Sequence, residues 1–144
     1  MNKIHLLIAF LCVTTTIYGQ KNNEAAAIKA MMVQQTNDWN AGNIDAFMQG
    51  YWQSDSLMFI GSRGITYGWN ATLANYKKRY PDRATMGKLD FGFLKMTFFD
   101  KKKTCWLLGT WQLTRPEKGD VGGYFTLMLK KINGKWLIIS DHTS

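Results

Sequence analysis

From Lys88 onward the chain reads as strand and turn alone, and that half decides what the rest can fold into. KLDFGFLKMTFF, TCWLLGTWQLTR, VGGYFTLMLKKI and KWLIISDH are rich in β-branched and aromatic residues. The turn-forming stretches DKKK, PEKGD and Asn133–Gly134 separate them. Asn-Gly between two apolar runs is a two-residue hairpin turn, because both positions need positive φ. The spacing predicts four long antiparallel strands in a meander.

In Lys88–Phe99 a regular alternation puts Leu89, Phe91 and Phe93 on one face and Leu94, Met96 and Phe98 on the other. An antiparallel sheet with one wet face alternates cleanly, so both faces are expected to be covered, one by helices and one by a partner subunit. Gly92, Gly109, Gly122 and Gly123 fall inside strands, where glycine marks bulges and bends. They predict a sheet curved into a half-cone around an internal cavity.

The first half carries helical spacing. Ala25, Ile28, Met32 and Trp39 share a stripe in residues 24–40, with Asn23 as the expected N-cap. NIDAFMQGYW starts a second helix, SLMFIGSRGITYG a short hairpin, and WNATLANYKKRYPD a third helix that Pro81 ends. Helices first and a meander second is an α+β plan, with three helices on one sheet face. Its length of 144 residues suits one domain.

MNKIHLLIAFLCVTTTIYGQ stands apart: a lysine, an apolar run from Ile4 to Val13, then small and polar residues. It reads as a signal peptide over 1–19, with residues 20–144 exported to the periplasm or beyond. The apolar run is too short for a stable membrane anchor. With Cys12 removed, Cys105 is left alone in a strand, as a small buried apolar side chain. The formal net charge of +8 is scattered over Lys77–Arg79, Lys101–Lys103 and Lys130–Lys131 without a nucleic-acid motif, so no nucleic-acid partner is expected. Two histidines, His5 and His142, exclude a histidine-rich metal site; no metal or cofactor is expected. Asn70-Ala71-Thr72 matches a glycosylation sequon, a pattern too short to carry weight.

DWNAGNIDAFMQGYW, YKKRYPD, GTWQLTR and GKWLIISDHTS, in this order of elements, resemble the nuclear transport factor 2-like superfamily and specifically its SnoaL-like branch of small exported proteins. The resemblance covers residues 24–144 and implies a cone-shaped α+β domain. It leaves the reaction open, since such folds include isomerases, dehydratases, hydrolases and non-catalytic modules. It also implies that Tyr51, Tyr67, Trp69, Tyr76, Trp111 and Phe125 form the walls of an apolar pocket.

Polar groups that would orient a ligand there are few. Asp141 and His142 close the last strand and are candidate bases, but as neighbours they point to opposite faces. Regular alternation groups Asp141 with Leu137 and Ile139, and His142 with Trp136 and Ile138. Arg115 follows Trp111 and Leu113 on one face, where a guanidinium suits a ligand carboxylate or a pair with Asp141. Tyr76 is a phenolic donor that Trp69 and Leu73 turn inward. The leading expectation is a homodimer binding a small hydrophobic or aromatic molecule. The alternative is a cofactor-independent enzyme with Asp141 or His142 as base and Tyr76 or Arg115 at the oxyanion; a third is an assembly module without ligand.

Overall fold

A computed structural model describes residues 21–144. The segment read as a signal peptide, with Cys12, lies outside the described residues. Helices α1 (Lys21–Asn40) and α2 (Ile44–Phe47, continued by a 3-10 turn over Met48–Gly50) precede the hairpin β1 (Met58–Gly61) and β2 (Gly64–Tyr67). Then come α3 (Trp69–Arg79), a short α4 (Arg83–Met86) and the strands β3 (Lys88–Phe99), β4 (Thr104–Thr114), β5 (Val121–Ile132) and β6 (Lys135–Thr143). The four strand ranges match the expectation closely, and Asn133 and Gly134 take φ of 49° and 78° in their turn. Helix α1 already runs at Lys21, so Asn23 is not its cap.

All strands form one six-stranded sheet in the order β2-β1-β6-β5-β4-β3. The meander is antiparallel, whereas β1 joins β6 in parallel, with Phe59 opposite Asp141. Ile28, Met32, Gln35 and Trp39 form the buried stripe of α1. They pack with Phe47, Met48 and Tyr51 onto Leu107, Leu127, Leu129 and Ile138 of the sheet.

Side-chain bonds to the backbone fix the position of α1. The Asn40 side chain pairs with the Leu89 backbone, donating to its carbonyl at 3.1 Å and accepting from its N–H at 2.7 Å. Arg83 donates to the carbonyls of Trp39 and Asn40, satisfying groups left open at the helix C-terminus. Helix α4, absent from the sequence reading, carries that guanidinium, and its Met86 joins the core. Asp82 caps α4 by accepting from the Thr85 N–H at 2.7 Å.

Two β-bulges change which residues share a face. Phe93 pairs with Gly109 and Lys95 with Leu108, which leaves Leu94 as the extra residue in β3. Parity shifts there, so Leu89, Phe91, Phe93, Met96 and Phe98 all pack against the core, while Leu94 is exposed. The expectation of two apolar faces in β3 is thereby corrected. The second bulge lies in β6: Met128 pairs with Ser140 and Leu129 with Ile138, which leaves Ile139 unpaired. Asp141 consequently shares the core face with Trp136 and Ile138, the reverse of the regular alternation.

Candidate functional site

The helices and the core face of the sheet enclose a cavity of about 310 Å³. Its walls are largely apolar, from Met32, Trp39, Phe47, Phe59, Leu89, Phe91, Leu113, Phe125, Leu127 and Ile138. On the helix side Trp39, Phe47, Phe59, Tyr76 and Tyr80 pack edge to face, for example Trp39 to Tyr80 with centroids 4.8 Å apart.

Asp141 is 4% exposed and is the one acidic side chain lining the cavity. The Ile139 bulge turns it inward, and a second feature brings its main partner. After the 3-10 turn, Tyr51 lies beside Ile138 in an isolated parallel bridge, and the Trp52 N–H donates to the Ile138 carbonyl at 2.9 Å. Tyr51 is thus delivered next to the end of β6. Its hydroxyl donates to Asp141 Oδ2 at 2.7 Å, and Thr143 donates to Oδ1 at 2.6 Å. Tyr51 spends its single hydrogen on Asp141. The Tyr76 hydroxyl, 3.4 Å from the Tyr51 oxygen, therefore makes only a long contact there, and a ligand acceptor at ordinary hydrogen-bond distance takes its hydrogen instead.

Burial pushes the Asp141 carboxyl up to about 6, outweighing the hydrogen bonds from Thr143 and Tyr51 that favour its ionised form. Burial, followed by the charge of Asp141, holds both the Tyr51 and Tyr76 phenols well above their ordinary value. Both stay neutral donors. The cavity ends in a carboxyl that titrates near neutrality beside two phenols.

Of the residues singled out in the sequence, Tyr51, Tyr76, Trp111, Phe125 and Asp141 meet at this cavity. The other four lie elsewhere. His142 is exposed on the outer face opposite Thr126, because the bulge that turns Asp141 in turns its neighbour out. Arg115 follows the end of β4; its backbone N–H donates to Asp120 Oδ1 and its Nε to the Gly119 carbonyl, clamping the β4–β5 turn instead of pairing with Asp141. Tyr67 is 63% exposed on edge strand β2. The Trp69 indole donates to the Met48 carbonyl at 2.9 Å, tying α3 to the turn after α2.

Gln35 was missed. It lines the cavity, and its amide nitrogen donates to the Phe47 carbonyl at 3.0 Å. Its Oε1 is the one buried side-chain polar atom without a hydrogen-bond partner among the described residues. A glutamine on the Ile28, Met32, Trp39 stripe was the available signal, since a polar residue there must be buried. Arg63, Lys78 and Arg79 stand at the cavity lining as well.

Among the described residues, no group of three or more His, Cys, Asp or Glu side chains is placed to hold a metal ion. No described helix is long and apolar enough to cross a membrane. Cys105 is fully buried, and burial raises its thiol to about 11.

No family model matches the sequence, and no curated protein does. Solved structures do. The chain is similar to an NTF-2-like protein of unknown function from Shewanella oneidensis, with 36% identity and a TM-score of 0.78 over 87% of this chain and 99% of that one. It is also similar to a nuclear transport factor 2-like superfamily protein from Salmonella enterica, at 16% identity and a TM-score of 0.66 over 86% of this chain and 92% of the other. A ketosteroid isomerase-like protein from Erwinia carotovora shares the fold at 17% identity and a TM-score of 0.63, over 85% and 96% of the two chains. None of these singles out the SnoaL-like branch.

Proposed function

The chain belongs to the nuclear transport factor 2-like family, and on that premise we propose that it binds a small, mainly apolar molecule in this cavity. The observation that carries the reading is the pairing of aromatic and aliphatic walls with one polar end, Asp141, Tyr51 and Tyr76. Ligand sites combine a mostly apolar lining with a few polar groups that fix orientation, and about 310 Å³ lies at the small end of their usual range. A compact cyclic molecule fits that volume better than a long chain. A hydroxyl or carbonyl on it accepts from the Tyr76 hydroxyl, and a hydroxyl also donates to Asp141.

Native mass spectrometry of the protein purified from its own host tests the proposal. The expected spectrum shows a stoichiometric small molecule that denaturation releases. Protein that is uniformly empty, and that takes up no apolar probe afterwards, overturns it.

A second reading is catalytic, and the position of Asp141 favours it. A buried carboxyl raised to about 6 is poised as a general base, and the Tyr76 hydroxyl beside it suits an oxyanion developing on a carbonyl. The likeness to a ketosteroid isomerase-like protein is in keeping with this reading. Turnover of an unsaturated cyclic ketone that vanishes in Asp141→Asn separates enzyme from binder.

The lysine-led apolar segment at the N-terminus supports an exported location. A second copy of the chain is the proposed partner of the outer sheet face, where Trp106, Leu108 and Met128 are half-buried beside exposed Tyr124.

A further inference from the structure

The cavity is not electrically uniform. Asp141, the one acidic side chain in its lining, lies deep in the fold, whereas the three basic side chains there, Arg63, Lys78 and Arg79, are exposed. Arg63 sits in the β1–β2 turn, with Ser62 and Gly64 on either side; Lys78 and Arg79 occupy the last turn of α3. A hydrogen bond of 3.1 Å from Asn75 on α3 to Thr66 on β2 holds these two elements together, and both residues also line the cavity. None of the three cations has an ion-pair partner among the described residues: Lys77 reaches Asp45 and Lys131 reaches Glu24. The Arg79 guanidinium instead lies 5.7 Å from the centroid of the Tyr80 ring, itself a cavity wall.

We infer that the cavity's ligand is an anionic amphiphile: a compact apolar body that fills the interior and a carboxylate, sulfonate or phosphate group held at the mouth by Arg63, Lys78 and Arg79. This rests on the cavity being a ligand site and adds the ligand's charge and orientation. Unpaired cations around an apolar opening attract an acidic group and leave the uncharged end to enter first. The same orientation keeps the anion away from Asp141, which a ligand entering acid-first would approach with like charge. It places the far end of the apolar body at the Tyr76 hydroxyl.

Two fluorescent dyes test this directly, because they differ chiefly in one acidic group: anilinonaphthalene sulfonate and its uncharged counterpart phenylnaphthylamine. Each exposed cation contributes a factor of about two, so the sulfonate binds about eight-fold more tightly than the neutral dye at low ionic strength. The advantage shrinks at about 0.1 M salt, where the screening length is about 10 Å. In the triple variant Arg63→Gln, Lys78→Gln, Arg79→Gln the two dyes bind equally. Removing as many charges in Lys101→Gln, Lys102→Gln, Lys103→Gln, at the β3–β4 hairpin, leaves the eight-fold ratio in place.

Equal binding of both dyes to the unaltered protein, or a ratio that survives the triple variant at the mouth, overturns this inference while leaving the cavity as a neutral-ligand site. A neutral dye that never binds, with a sulfonate that responds equally to both triple variants or fails to bind, overturns the inference and the cavity reading together.

Discussion

The Tyr51 hydroxyl donates to Oδ2 of Asp141 at 2.7 Å, joining the end of the α2 region to the end of β6 in the interior of the domain. Both partners are nearly inaccessible to water, so neither finds a substitute when the other is removed. Tyr51→Phe therefore costs more than an exposed hydrogen bond. The expected loss is about 1–3 kcal/mol at neutral pH, seen as a lower urea midpoint with an unchanged m-value. The same variant raises the Asp141 carboxyl further, because a hydrogen bond favouring its ionised form is gone.

Asp141 also gives the domain an acid-side stability gain. Its carboxyl titrates at about 6 in the fold against 3.8 in the open chain, so between those values the folded state holds a proton that the unfolded state has released. Stability contributed by this group is lowest above about pH 6 and rises as pH falls toward about pH 4. The full span is on the order of 3 kcal/mol. Asp141→Asn removes that slope, and the difference between the two unfolding profiles over that window measures it. Parallel profiles would show that Asp141 does not titrate as its burial requires.

Glu24, in the first turn of α1, works with the opposite sign. Its two oxygens accept from Lys131 and from the Trp136 indole, each at 2.7 Å, pinning the start of α1 to β5 and β6. The hydrogen bond from Lys131, then that from Trp136, holds its carboxyl below the usual 4.5. Its contribution is present above that value and is lost as pH falls through the lower folded one. Glu24→Gln is expected to cost about 1 kcal/mol at neutral pH and nothing in strong acid, by urea unfolding at the two conditions.

How much of this was legible in the sequence depended on what a residue's neighbours in the chain can reveal. The four long strands and the Asn133–Gly134 turn follow from composition and turn chemistry, which are local. Face assignment in β3 and β6 failed for a different reason. Leu94 and Ile139 are ordinary strand residues, and only pairing with a neighbouring strand shows that each is one too many. That single unit of register decided that Asp141, and not His142, reaches the cavity. Arg115 was misplaced because the carbonyl and carboxylate that hold it belong to the turn just beyond its strand. Gln35 was readable in principle as the polar member of an apolar helical stripe.

The curvature that makes room for the cavity depends on Gly109. A Cβ there would collide with the ring of Phe125, its partner on β5, and with the Gly92 carbonyl on β3, next to the β3–β4 bulge. Gly109→Ala is expected to destabilise by about 1–3 kcal/mol, to push Phe125 toward the cavity, and to weaken uptake of an apolar dye. A stable variant with unaltered dye binding would mean that the sheet accommodates the methyl group by moving elsewhere.

The measurement that reaches the central claim most directly is a crystal structure of the protein grown with phenylnaphthylamine. The dye is expected between the helices and the core face of the sheet, against Phe125 and Leu127, with one end at the Tyr76 hydroxyl. Dye lodged instead on the outer face around Trp106 and Tyr124, with a cavity closed by its own side chains, would contradict it.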